Sequence, residues 1–498
     1  MKEHYLKYLL LQIRNITGKK VIVPKMISEP IVPIVQKIDT PQFKALFTPE
    51  LIKLNDLFKK NNFQLRQELF YHMAGGAVRD LLMGIKPSDI DFATDATPDE
   101  MKELFTREEI RMLNKNGEEH GTITCRIDDK ENFEITTLRL ILVLYRLFTV
   151  FRIDIVCDGR RAKIEFTTSW QLDANRRDLT VNSLFLGKLT LEYINFLDLD
   201  GTVIDYFGGI NDLEKRRIIF VGDASQRIQE DYLRIMRYFR FFGRLALDGE
   251  AHEKTTLDAI ISNINGLKDI SGERIWMELK KICVGRLGGA VLTTMLKRCN
   301  LASLLGLPEN ADTTYFCDLH KRYYPKMEAM TLLSSLFSEM EQIEIFHKRC
   351  KLSFAEKTLA EFIVEHRDEA KKNASSILFF KNILLNEERL HKFTRKKVQT
   401  SREKVIELAK YTMVDDELIN ELNIWEAPTF PIGGMDLMNN NVPPGPHVKQ
   451  ILDHLFKLWI ESQWMMNKEE LLKHINDIEW NNEKIRPGHK RKHSSGDR

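Results

Sequence analysis

Two aspartates two residues apart, Asp89 and Asp91, follow a Gly75-Gly76-Ala77-Val78-Arg79-Asp80 turn in the stretch HMAGGAVRDLLMGIKPSDIDFAT. Side chains alternate faces along a strand, so this spacing puts both carboxylates on one face. No basic residue separates them, and like charges held together repel unless something cationic sits on them. A pair of divalent ions is the usual occupant of such a site, and nucleotidyl transfer is its usual chemistry. Gly75 and Gly76 let backbone N–H groups approach a phosphate, and the Arg79 guanidinium can chelate one. Glu134, in NFEITTLR, lies between apolar Phe133 and Ile135 and so faces away from both. A third carboxylate from a neighbouring strand would complete a metal cradle. Each signal alone has a plainer reading: a lone DxD suits a solvated loop, and a lone strand glutamate suits a solvent face.

These residues need elements to hold them. Leu51, Leu54, Leu57 and Phe58 recur at helix spacing within a helical pattern from about 43 to 69. Strand-like segments follow at 71–73, 89–92, 121–127 and 133–138. Helices are expected over AVRDLLMG and TPDEMKELF, the second opened by a capping box of Thr97 and Glu100. The pattern predicts an α+β catalytic head over 41–205, after a leader at 1–40. Beyond it strand signals fade. Helical periodicity then runs on, broken at Gly272, Pro308, Pro325, Pro428 and Pro431, as an all-α part in two or three subdomains, divided here at 206–300 and 301–485. The basic end 486–498 reads as a solvated, disordered tail, with a nuclear address or an RNA-binding arm as the other reading.

Composition narrows the classes. The 498 residues carry 74 basic and 72 acidic side chains, so any RNA contact must come from segregated patches. Cys125, Cys157, Cys283, Cys299, Cys317 and Cys350 form no CxxC pair and read as reduced thiols. No apolar run reaches the ~18 residues of a membrane span. The start, MKEHYLKYLLLQIRNITGKK, is basic and amphipathic and suits a mitochondrial presequence or a plain first helix.

In colinear order, GGAVRDLLMG…DIDFAT, NGEEHGTITCRI, NFEITTLR, RRDLTVNSLFLG, EDYLRIMRYFRF and SGERIWMELKKI resemble class II tRNA nucleotidyltransferases. These are the CCA-adding enzymes of the polymerase-β superfamily, and the metazoan type of mitochondria and cytosol is the nearest likeness. The resemblance implies a polymerase-β-like head, a mixed sheet with helices, followed by an all-α neck, body and tail. It implies that Asp89 and Asp91 hold two Mg²⁺, with Glu134 as the third acid. Gly75, Gly76 and Arg79 would bind the triphosphate, and Arg176, Arg177, Asp178 and Asn182 the ribose and triphosphate. Asp231 and Arg234 would read the base edge as a protein template, and Arg237 and Arg240, farther along the same motif, would be nucleotide-binding. Arg donates to cytosine N3 and O2, while Asp accepts from its amino group; adenine suits a tilted version of the same pair. FPIGGMDLMNNNVPPGPHVKQIL matches the part of the family that grips the acceptor and T arms of tRNA. Arg395, Lys396, Lys397 and Arg402 are basic candidates there.

The implied activity is addition of C, C and A to tRNA from CTP and ATP. The implied protein is a monomer or homodimer with no membrane contact, in mitochondria and cytoplasm, with the nucleus as a third compartment. The rivals are a CC-adding or A-adding specialist, a poly(A) polymerase, and a catalytically crippled tRNA-binding protein. Two apolar segments interrupt the family pattern: LILVLYRLFTVFR at 140–152 and KLTLEYINFLDL at 188–199. Such segments are expected to bury themselves or promote aggregation. The first falls near a loop that in the family flexes when CTP gives way to ATP, so it bears on A addition more than on C addition. One hypothesis is that both are short unspliced introns. A spliced transcript that still encodes them would sink it.

Overall fold

The computed structural model describes residues 31–65, 71–113, 121–142, 163–166, 169–187, 201–391 and 401–477. Two compact units divide the chain, Met1–Glu365 and His366–Arg498. Among the described residues ten strands lie in the first: β1 (Ile34–Lys37), β2 (Tyr71–Ala74), β3 (Asp91–Thr94), β4 (Arg111–Leu113), β5 (Thr122–Ile127), β6 (Glu131–Thr137), β7 (Arg139–Leu142), β8 (Lys163–Phe166), β9 (Phe185–Leu186) and β10 (Thr202–Asp205). Eight form one sheet in the order β1-β10-β9-β2-β3-β6-β5-β4. Only β3 and β6 pair parallel in it, so the sheet is mixed. Its edge strand β1 comes from the end of the expected leader and pairs with β10.

The helices that frame the sheet are α1 (Pro41–Lys44), α2 (Pro49–Leu65), α3 (Gly76–Leu82), α4 (Pro98–Arg107) and α5 (Trp170–Asn175). The continuous helix expected from about 43 is broken. Pro49 disfavours helical backbone at the residue before it, and Thr48 instead caps α2, its Oγ1 accepting from Leu51 N–H at 3.1 Å. Helix α4 has the predicted capping box between Thr97 and Glu100. One face of the sheet packs Met73, Phe92, Ile123, Phe133 and Ile135 against Leu51, Leu54, Leu104 and Phe105 of α2 and α4. On the other face Ala74, Ala93 and Phe185 are covered by Trp170 and Ala174 of α5. That cover ends short of Asp91 and Glu134, which are exposed.

The two apolar segments meet this fold differently. Residues 140–142 belong to β7, which pairs with β8 in a separate two-stranded sheet; 143–152 lie outside the described residues. The 188–199 segment lies outside them entirely, but its flanks are informative. Leu186 faces Val203 across the β9–β10 ladder, and Gly187 N–H donates to Thr202 O at 2.9 Å. If Asp200 followed Gly187 directly, Asp200-Gly201 would be a two-residue connection between facing residues. Asp-Gly is a favoured pair for such a turn, and Gly201 already has φ +74°. A chain lacking 188–199 is therefore expected to fold, with an unchanged or higher melting temperature and intact nucleotide incorporation. Loss of soluble protein on deletion would show that the segment belongs to the core.

Beyond β10 every described element is helical. The next are α6 (Gly209–Glu214), α7 (Ala224–Glu230), α8 (Leu233–Leu245), α9 (Lys254–Asn263) and α10 (Gly272–Cys283). Helix α8 has two faces. Ile235, Met236, Tyr238, Phe239, Phe242 and Leu245 are buried, while Arg237, Arg240 and Arg244 recur at helix spacing on the other side. His252 closes the buried face, its Nδ1 2.8 Å from the Tyr238 hydroxyl and its ring stacked 3.6 Å from that of Phe242. Burial, then the charge of Arg298, hold this imidazole down at about 4. Below its ordinary value of 6.5 the unfolded chain takes up a proton that the folded chain refuses. Stability is thus fully present above pH 6.5 and lost as pH falls towards 4. The ring is only partly buried, so solvent screening reduces the ~3 kcal/mol that the full shift would give; urea unfolding across that window is expected to lose roughly 2 kcal/mol, and His252→Gln to flatten the profile.

The second unit has its own core, including Leu385, Leu437, Ile451, Leu455 and Trp459. Arg402, a basic candidate for tRNA, serves there as a helix cap. Its Nη2 donates to Trp425 O at 2.7 Å and its Nη1 to Leu422 O, at the end of the helix Asp416–Ile424. Arg395, Lys396 and Lys397 lie outside the described residues. Among the described residues no helix is long and apolar enough to cross a membrane.

Candidate active site

Register brings two of the three acids together. Asp91 faces Glu134 across the parallel β3–β6 pair, so their side chains leave the same face of the sheet. The neighbouring Thr122 and Thr136 are opposed in β5–β6, their hydroxyls 2.9 Å apart. Asp89 arrives by another route. The strand expected over 89–92 begins only at Asp91. Asp89 sits in a bend after Pro87, which has no N–H for a ladder, and Ser88 Oγ donates to its carboxylate at 3.2 Å. A loop, not strand alternation, aims it at the cavity.

Asp91 opens to water on the cavity side yet is ringed by protein. That desolvation raises its pKa, as do the charges of Glu134 and Asp89, with Arg177 opposing them. Among the described residues no three acidic, His or Cys groups are already closed into a metal cage. The donor chemistry nonetheless fits Mg²⁺: hard carboxylate oxygens, short of counter-charge, in a cavity open to a polyphosphate.

A basic wall stands beside them. Gly75 has φ 68° and precedes α3; a side chain there would meet Arg177 Nη1 at 2.9 Å. Its own N–H donates to Leu184 O, so the backbone donors left for a phosphate are those of the first turn of α3. Arg79 is buried. Its Nε and Nη2 donate to Asp80 Oδ1 at 2.9 and 2.8 Å, and its Nη1 to Asn182 Oδ1 at 2.6 Å. Arg79 is thus a braced wall of the cavity more than a free chelator. Arg176 and Arg177 both grip the buried Asp173, with Nε–O distances of 2.7 and 3.2 Å.

The third wall is the cationic face of α8. Arg237 Nε donates to Asp178 Oδ2 at 2.6 Å, and Asn182 Nδ2 reaches Asp178 Oδ1 at 3.3 Å. Burial alone would raise the Asp178 pKa; Arg237, with help from Arg234, overrides it and holds the carboxyl at about 2. Arg240 Nη1 donates to Glu278 of α10 at 3.2 Å. Asp231, the residue before Tyr232 at the N-cap of α8, caps Leu233 N–H at 3.0 Å through Oδ1 and accepts from Arg274 Nη2 at 3.0 Å through Oδ2.

All fourteen residues singled out from the sequence for catalysis or nucleotide binding line one cavity of about 1090 Å³. Asp80, Arg244, Arg274, Lys281 and Arg286 line it too, and sequence reasoning did not assign them. For Arg244 a signal existed, since it continues the Arg237–Arg240 stripe. Asp173 was equally legible, three and four residues ahead of Arg176 and Arg177. Arg274 had none, because its partner Asp231 is reached only through the tertiary fold.

Residues 71–219, which carry most of these walls, match the Poly A polymerase head domain. A Danio rerio protein named CCA tRNA nucleotidyltransferase 1, mitochondrial, is 42% identical over 440 residues, 88% of this chain and 93% of the relative. The Homo sapiens protein of that name is 43% identical over 445 residues, 88% of this chain and 92% of its own. The chain belongs to the CCA tRNA nucleotidyltransferase family. The fold agrees: the crystal structure of the Bacillus stearothermophilus CCA-adding enzyme in complex with CTP superposes with a TM-score of 0.63 at 23% identity, covering 88% of this chain and 98% of that one. The mixed-sheet head and helical remainder expected from the sequence are those of a CCA tRNA nucleotidyltransferase.

Proposed function

We propose that this protein adds C, C and A to the 3′ ends of tRNA, using CTP and ATP and releasing pyrophosphate. Supporting this reading most directly is a single cavity that combines a group of carboxylates, a wall of arginines and the residues Asp231 and Arg234 at the start of one helix. In each step the tRNA 3′-oxygen forms a bond to the α-phosphorus, and the bond from that phosphorus to the leaving pyrophosphate breaks. Asp89 and Asp91 would hold two Mg²⁺, with Glu134 as the third acid of the site. Bound there, the metal would lower the pKa of the attacking hydroxyl and offset charge on the leaving pyrophosphate. Arg176 and Arg177, both braced by Asp173, face the triphosphate, and Asp178 and Asn182 shape the wall beside the sugar. Asp231 and Arg234 read the base edge. Guanine and uracil present the wrong donor and acceptor pattern and leave that pair unsatisfied. The helical remainder holds the acceptor and T arms of tRNA through phosphate and shape. A mitochondrial location is part of the proposal, since both relatives carry that word in their names; cytoplasmic and nuclear pools rest on sequence reasoning alone.

The test is incorporation into a tRNA that ends before CCA, with Mg²⁺ and labelled CTP, ATP or both. Two Cs from CTP alone, and a terminal A only once ATP is added, support the proposal. Two Cs without A would identify a CC-adding specialist, and ATP-only extension without length control a poly(A) polymerase. No incorporation with tRNA still bound would mark a crippled head.

A further inference from the structure

We infer that Asp80 and Arg244 are a positioning pair that sets nucleobase selectivity by fixing helix α8 against helix α3. The inference rests on the proposed reading of the Asp231–Arg234 end of α8 as the base reader. Asp80 is buried. Its Oδ1 is held by Arg79 and its Oδ2 accepts from Arg244 Nη2 at 2.9 Å. Arg244 is the last cation of the α8 stripe and is half-exposed to the cavity. Two turns earlier on the same helix, Arg237 is held by Asp178. Asp178 is tied through Asn182 back to Arg79. The two anchors on α8 therefore converge on one buried network. Between them Phe241 lies under the Arg79 guanidinium, 5.0 Å from its ring centre.

Arg237 and Arg244 tie the cationic face of α8 to that network at two points about 10 Å apart along its axis. Without Arg244 that face keeps only the Arg237 tie to the network, and the helix can settle differently on its buried face. Asp231 and Arg234 lie at the opposite end from Arg244, so a small resettling of α8 is felt at the base-reading pair and its bonds to Arg274 and Arg176, while Asp91 and Glu134 stay fixed by the β3–β6 ladder. Selectivity depends on that geometry more steeply than binding does, because a displaced fork still attracts a base but no longer rejects the wrong one. Arg244 is the removable half of the pair: without it Asp80 keeps Arg79 as its counter-charge, and a half-exposed ion pair contributes little to stability.

The experiment measures kcat/KM for CTP and UTP, and for ATP and GTP, on the tRNA substrate with the full chain, alongside melting temperature. Arg244→Met is expected to raise misincorporation of U relative to C about tenfold, with a smaller fall in kcat for CTP and little change in melting temperature. Arg244→Lys, which can still reach Asp80, should restore most of the selectivity. Asp80→Asn should shift selectivity in the same direction, and the double variant should do no more than the larger single one. A higher KM for CTP and ATP with an unchanged CTP-to-UTP ratio would mean that Arg244 touches phosphate directly, and would overturn the inference; so would additive effects of the two substitutions. If the wild type incorporates neither C nor A, the functional reading itself fails. If it incorporates both and Arg244→Met leaves selectivity intact, only this inference does.

Discussion

Asp91→Asn is expected to lower incorporation from CTP and from ATP by about 10³-fold, the scale of several kcal/mol of charge stabilisation at the reacting phosphate. The same variant should melt at an unchanged or higher temperature. Asp91 is the acid that burial, Glu134 and Asp89 together make costly to ionise, and an uncharged amide removes that repulsion. Opposite signs for activity and stability are the mark of residues kept for chemistry rather than folding. Binding of tRNA should persist, because the lost charge is negative and phosphate contacts are carried elsewhere. Single-turnover incorporation, thermal unfolding and a tRNA-binding titration on one preparation check all three. Activity within tenfold of wild type, or a large drop in melting temperature, would show that Asp91 serves the fold and not the reaction.

Much of this site was legible because its motifs are local. Gly75-Gly76 and the Thr97–Glu100 capping box are read from neighbours in sequence, and α3 and α4 begin where those residues place them. The pairing of Asp91 with Glu134 followed from alternation in two strands. Alternation failed at Asp89 because Pro87 delays the strand. It failed to show that Arg79 would be buried, since its partner Asn182 is distant in sequence. The pairings Arg244–Asp80 and Arg274–Asp231 leave no periodic trace: Arg244 continues a visible stripe, but nothing local marks Asp80 as its partner, and Arg274 alone looks like a solvated charge. The likeness of the motifs to the CCA-adding enzymes identified the kind of site, but not which arginines brace the wall and which remain open to a ligand.

That distinction governs what Arg234→Lys should do. Arg234 is only 8% exposed, and much of its guanidinium is already committed. Nη1 donates to Glu230 Oε2 at 2.6 Å and to Arg227 O at 2.9 Å, and Nη2 to Arg176 O at 2.8 Å. The Nε–H and one Nη2 hydrogen remain, a two-donor fork held rigidly by three protein acceptors. Cytosine offers N3 and O2 as adjacent acceptors for such a fork. A lysine ammonium has three donors on a flexible stem and cannot both satisfy these acceptors and present a fork. Arg234→Lys is therefore expected to lower kcat/KM for CTP about 10²–10³-fold, and for ATP by a similar factor. Stability should fall much less, because Glu230 keeps its ion pair with Arg227 at 2.7 Å. Glu230→Gln, which leaves both carbonyl acceptors in place, should lose less activity than Arg234→Lys. Steady-state kinetics with each nucleotide, set beside urea unfolding, separate the two effects. If Arg234→Lys stays within tenfold of wild type for both nucleotides, the base edge is read by some other group, and Arg274, already paired with Asp231 across the same cavity, becomes the residue to replace next.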